Sequence, residues 1–217
     1  MEESVQRLIA FAGAVVLVAS SLMLFAPWLR AAGYRLDYLR QAAVEMAYAI
    51  ESRSSVRLVE DFYAQNRSVV VEVVKPRETP VRIRTAYSIV ITALPVHVEE
   101  VVRGRPEASF SRFREACVYM NGTHLIVEPK PLVRYHMGVE YGRRVHIVEV
   151  TLFVIYGELS KGSVLNFNSS RSYVYVRTYD YEGTARVKVS GEDAVSFTVS
   201  SGEVLKIFIN YERWTAG

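Results

Sequence analysis

Cysteine is nearly absent from this 217-residue chain. Cys117 stands alone, which excludes an internal disulfide and any cysteine-based metal cluster. Charge of one sign is also lacking. The net charge is +3 and the basic residues are scattered, so no run of Lys and Arg could track a phosphate backbone, and a nucleic-acid partner is not expected. Only 5 of the 26 basic residues are lysine, and Gln and Asn number 3 and 5. Scarce thermolabile amides fit a thermophile, although poverty in lysine does not. No glycine-rich phosphate loop follows a strand and opens a helix. The four histidines, His97, His124, His136 and His146, have no metal-site spacing. Glu99 and Glu100 are neighbours, so a strand sends them to opposite faces and they make a poor acid–base pair. Cys117 and His124 are the one thiol–imidazole combination, with nothing beside them to complete a catalytic site. These gaps point away from an enzyme, a cofactor, a metal and a small-molecule substrate.

What is present begins with an apolar run. Leu8 to Leu29 holds 22 residues without an ionisable side chain. As a helix it is about 33 Å long, the thickness of a bilayer's hydrocarbon. Ser20 and Ser21 can bond back to their own backbone. A buried core helix is rarely apolar all round for six turns. A cleaved secretory signal has a shorter apolar core behind a basic leader, whereas MEESVQR sets Glu2 and Glu3 against Arg7. The run therefore reads as a membrane-spanning helix, with Trp28 and Tyr34 at the level of the headgroups.

Beyond Pro27, the helical pattern resumes. Leu36, Leu39, Ala43, Met46 and Ile50 follow at alternating spacings of three and four, an a/d seam over two heptads. Gln41, Glu45 and Glu51 lie off it and are free to face water. The seam has two uses. It can dock on the chain's own domain, or it can join Val16 in packing against neighbouring copies. Ser52 to Ser55 ends the helix, and Val56 to Gln65 reads as a short amphipathic turn.

From Ser68 onward the texture changes to Val, Ile, Tyr and Thr with frequent turns. Strands are expected over 69–74, 81–85, 87–94, 96–102, 117–120, 124–128, 145–156, 173–179, 184–189, 194–199 and 203–211. Asn121-Gly122 reads as a two-residue hairpin turn, 103–116 as a long loop, and 145–156 as a central strand. Short strands with no helices between them predict an antiparallel sandwich or an open barrel. The fold class is thus α+β: a leader over 1–7, a helix over 8–53 and one β domain over 57–217. Tyr173, Tyr175 and Tyr179 share a strand face near Tyr181. They form either an aromatic cluster within the sheet or a contact surface.

Asn66, Asn121 and Asn168 each open an N-glycosylation sequon at a predicted turn, three of the five asparagines. They place the domain outside the cell. Arg30, Arg35 and Arg40 against Arg7 argue the other way by the positive-inside rule. The sequons and the turn-rich domain carry more weight here.

A short charged leader, an apolar helix from residue 8, an amphipathic continuation through Ala42-Ala-Val-Glu-Met-Ala-Tyr-Ala-Ile50, and a β domain opening on Val69 to Val74: this layout resembles archaeal type IV pilins and pilin-like proteins, archaellins among them. The resemblance implies leader cleavage, helices packed in a filament core and β domains displayed outside, often glycosylated. At the junction Arg7 meets Leu8 where the family usually has a small residue, and Phe11 to Gly13 stand where its helix often carries a glutamate. These departures motivate a second reading, an uncut single-pass protein whose β domain is a binding or accessory module of the cell envelope.

Overall fold

The computed structural model describes residues 2–167 and 171–217. The chain forms two compact units, Met1–Leu39 and Arg40–Gly217. One α-helix, α1 (Glu2–Ser52), supplies all of the first unit and the opening turns of the second. Pro27 lies inside it without ending it. Ser21 donates its hydroxyl to the Leu17 carbonyl (2.8 Å), so its polar group is satisfied within the helix. The helix stops where Arg53 turns left-handed (φ 59°) and the Ser54 amide donates to the Ala49 carbonyl (3.1 Å), a Schellman-type closure. Ser52 adds a hydroxyl bond to the Tyr48 carbonyl.

After the helix come β1 (Ser55–Arg57), β2 (Tyr63–Val74), β3 (Val81–Arg103), β4 (Ala116–Pro129), β5 (Leu132–Glu140), β6 (Arg143–Tyr156), β7 (Val164–Asn166), β8 (Arg171–Asp180), β9 (Gly183–Val189), β10 (Glu192–Val199) and β11 (Val204–Ala216). One sheet has the order β1-β7-β11-β6-β5, with β8 also paired to β11. The other has the order β10-β9-β2-β3-β4. The fold is α+β with a sandwich-like domain, as the composition of the strands implies. Among the described residues the strand pairs are antiparallel except β6 with β11, which run parallel from Val145 and Val204 onward. The run 145–156 is central, flanked by β11 and β5.

Alternating side chains from both sheets make the core. Val148, Val150 and Leu152 of β6 and Leu205, Ile207 and Ile209 of β11 meet Val69, Val71 and Val73 of β2 and Val187 and Val189 of β9. The rows of opposite parity are buried in part by a second apolar group. It includes Met46, Ile50, Leu58, Phe153, Leu165, Phe167 and Trp214. Trp214 stacks on Phe153 (4.8 Å between centroids) and meets Phe167 edge-on (4.7 Å).

Three local expectations are corrected. The segments 81–85, 87–94 and 96–102 are one strand, β3. Asn121-Gly122 does not turn a hairpin, because both flanking segments find partners on β3. Gly122, at φ +65°, forms an irregularity opposite Val98 instead, and the ladder slips between Ala93 and Val98, where Pro95 lies. The slip changes the parity of the core face, from Cys117 and Tyr119 to Ile126. Finally, 56–65 is not an amphipathic turn: it holds β1 and the start of β2, with Leu58 and Phe62 buried.

Candidate assembly surfaces

In the first unit the helix presents large apolar side chains to the exterior on every side. Phe11, Val15, Leu17, Val18, Leu22, Met23, Leu24, Phe25, Trp28 and Leu29 are all exposed, and Val16 is 63% exposed. A window of mean hydropathy 2.0 here has none of its residues buried, and the helix is long and apolar enough to cross a membrane. Burying such side chains is worth about 1.5–3 kcal/mol each, so water is a poor final environment for this surface.

In the second unit the remaining turns of α1 dock on the β domain. Ala42, Ala43, Met46, Ala47, Ala49 and Ile50 are buried. Ala42 and Met46 close against Val56, Leu58, Val59 and Phe62, leaving no space for a water molecule. Polar contacts fix the register. Arg103 donates to Glu51 (2.6 Å) and lies over the Tyr48 ring at 4.0 Å. The other Glu51 oxygen accepts from the Ala116 amide (3.3 Å). Arg114 pairs with Glu212, donates to the Ile50 carbonyl (3.4 Å) and covers Phe153. Arg40 donates to Glu100 (2.6 Å).

Of the two uses open to the seam, docking on the chain's own domain is the one seen for Ala43, Met46 and Ile50, which are buried inside their own unit. In the first unit Leu39 is buried and Leu36 half-buried, whereas Val16 is open. Gln41 and Glu45 face water and bond to each other, but Glu51, expected beside them, is the anchor for Arg103. Arg103 and Arg114 border or lie in a charged, polar stretch and Glu212 adjoins Arg213, so nothing local in the sequence marks them as anchors for the helix.

The most buried polar cluster lies around the end of β4. The Glu128 carboxylate accepts from Tyr87 (2.6 Å), Tyr119 (2.9 Å) and Arg67 (2.5 Å) and sits 3.0 Å from the Lys130 ammonium, which also donates to the Pro106 carbonyl (2.8 Å). Burial alone pushes the Glu128 carboxyl up. The Tyr87 hydroxyl, Lys130 and Arg67 together outweigh it and hold the carboxyl below its usual range. Tyr119 is pushed up to about 12 by burial and by the Glu128 charge, and Tyr87 rises for the same reasons. Both oxygens of the carboxylate are engaged, and the arrangement ties β2, β3 and β4 together.

The histidines stay apart. His97, His124 and His136 are exposed, and His146 is buried between the Tyr135 hydroxyl (2.9 Å) and Glu203 (2.9 Å), stacked on Phe197. Among the described residues no cluster of His, Cys, Asp or Glu has metal-binding geometry. Cys117 is fully buried and His124 exposed, so the thiol and imidazole are not brought together. Burial pushes the thiol up to about 11. Tyr179 and Tyr181 are partly buried against the core and flank the Lys75 ammonium at 5.3 and 5.1 Å. The side chains of Tyr173 and Tyr175 lie outside the described residues. Asn66 and Asn121 are exposed, but in β2 and β4 and not in turns; Asn168 lies outside the described residues.

No family model matches the chain, and no curated protein or solved structure matches it.

Proposed function

We propose that the chain is a pilin-like surface structural protein. Its apolar helix anchors in the membrane or packs with the same helix of other copies in a filament core, and its β domain is displayed outside. The observation that carries this reading is the division of labour along α1. The large apolar side chains from Phe11 to Leu29 are open, while Ala42, Ala43, Met46, Ala47, Ala49 and Ile50 are built into the β domain. A chain divided in this way carries both an apolar surface that needs a cover and a separate folded domain, as a subunit of a helical assembly requires. The test is Val16→Glu. Filaments on the cell surface, seen by electron microscopy, disappear, while the β domain keeps its strand circular dichroism. Filaments of normal abundance from the variant would refute polymerisation through this helix.

A second reading is favoured by one observation, the consumption of Ala43, Met46 and Ile50 by their own domain, which leaves less of the helix for neighbours. In it the chain is a single-pass anchor that keeps Met1 to Arg7 and presents its β domain to another envelope component. Intact mass and N-terminal sequencing of the membrane-extracted protein separate the two: a start near Leu8 supports the pilin-like reading, a retained leader the anchored module.

A further inference from the structure

The strand β5 closes one end of its sheet, and among the described residues no strand pairs with its outer side. The loop before β4 covers only the first part of that side. Ser111 donates its amide to the Pro131 carbonyl and accepts from the Val133 amide, both at 2.9 Å. From Arg134 to Glu140 the edge is open. Since the Val133 amide points outward, alternation sends outward the backbone N–H and C=O groups of Tyr135, Met137 and Val139. The side chains of these three are apolar and share the core-side parity of Tyr135, which stacks on Phe197 at 5.0 Å. Met137 is 63% and Val139 71% exposed. Beside the edge lies a cleft of about 710 Å³ between Val133–His136 and Asp193–Ser196 of β10. Natural edges are usually blunted by charge or proline; the open stretch has no lysine and no proline, and its two charges, Arg134 and Glu140, stand at its ends.

We propose that this edge pairs with the same edge of a second copy, antiparallel, across a two-fold axis through Met137. The occupant follows from the pattern of the stretch itself. A two-fold at Met137 is the register that pairs all of 134–140. It sets Arg134 opposite Glu140 of the second copy, Tyr135 opposite its Val139, and His136 opposite its Gly138. Opposite charges meet at both ends, an aromatic meets a β-branched residue, and a glycine leaves room for the imidazole. The three outward-facing positions form hydrogen-bonded pairs with two bonds each. Within its own copy Arg134 stands opposite Glu149 on β6 without forming an ion pair, and Glu140 holds Lys206. Within one copy, Arg134 and Glu140 are about 20 Å apart along the strand and cannot meet. The interface is isologous and goes beyond the helix-based reading above, because it involves the β domain alone.

The test uses the full chain in detergent micelles. Arg134→Glu sets like charges together at both ends and raises the dimer dissociation constant roughly tenfold or more, read by light scattering across a dilution series. Adding Glu140→Arg to that variant restores opposite charges and recovers most of the loss. As a second readout, Met137→Cys in a Cys117→Ala background is linked to itself by a short bismaleimide much faster than Val101→Cys, a comparably exposed control on β3. The Val16→Glu change leaves this linking rate unaltered, whatever it does to helix association. A double variant as weak as Arg134→Glu alone, Met137→Cys linking no faster than the control, or linking that is lost with Val16→Glu would each overturn the proposal.

Discussion

Glu128 and Lys130 face one another at 3.0 Å with almost no solvent, the first 1% and the second 2% exposed. Two residues apart, at the exit of β4, they hold the chain where it leaves one sheet for the other. An unpartnered charge at such a place is costly, because removing one member of a buried pair strands the other. Glu128→Gln should destabilise the β domain by about 3–5 kcal/mol in urea melts. Glu128→Gln with Lys130→Met should cost clearly less than the two single changes added together. Additive losses would mean that the two side chains act separately.

The same carboxylate sets an acid limit. Its pKa is lower in the folded chain than in the unfolded one, so its contribution is fully present above the unfolded value, about 4.3, and fades as pH falls through the folded value. The midpoint of urea unfolding, followed from pH 6 downward, should drop below about pH 4, and Glu128→Gln should flatten that drop. An equally steep acid limb in the variant would assign the effect to other carboxylates.

Much of this architecture is legible in the sequence, and the places where it is not share a cause. The apolar run, the seam and the alternation of Val187 and Val189 with Arg186 and Lys188 are local signals, and helix and strands follow them. Asn121-Gly122 is an equally strong local signal, yet it gives no hairpin, since a 23-residue β3 offers partners on both sides of it. Likewise the seam residues Ala43, Met46 and Ile50 have the spacing of a coiled coil, and that spacing cannot say which apolar surface they will meet. Glu51, Arg103, Arg114 and Glu212 are far apart in sequence, and only the tertiary fold brings them to α1. The parallel pairing of β6 and β11 is non-local in the same sense.

Helix docking and membrane anchoring should respond to different substitutions. Met46 is almost fully buried, so Met46→Ala should lower the stability of the β domain by about 2–5 kcal/mol in a thermal or urea melt. Val16→Glu should leave that melt unchanged and weaken membrane retention instead, since a carboxylate at the centre of a span costs about 2.5–3.5 kcal/mol. A melt that responds to Val16→Glu and ignores Met46→Ala would reverse the assignment of the two helix segments.

Cys117 should be silent towards thiol reagents. It is fully buried, and its thiol is pushed up to about 11, mainly by burial. At pH 8 a disulfide reagent should label it only as fast as the domain opens, and urea should bring labelling to the rate of a free thiol. Gly104 guards this position. Its φ is +77°, and a β-carbon there would lie 2.7 Å from the Cys117 sulfur. Gly104→Ala should therefore destabilise the domain by about 1–3 kcal/mol and speed the labelling. Rapid labelling of the unaltered chain would show that the thiol is open in solution.

Under the proposed membrane anchoring, the sequons give the most direct check on which side the β domain lies. Asn66 and Asn121 are exposed, and both sit in strands, where an outward side chain can carry a glycan without disturbing the ladder. Asn66 also accepts a bond from the Ser88 hydroxyl at 3.3 Å, a contact long enough to yield to a modification. Intact mass of the protein from native membranes should exceed the polypeptide mass, and Asn66→Gln and Asn121→Gln should each remove one discrete increment. Because glycan transfer takes place on the outer side, such increments would outweigh the arginines at 30, 35 and 40. An unmodified mass with all three sequons intact would return the weight to those arginines and turn the domain inward.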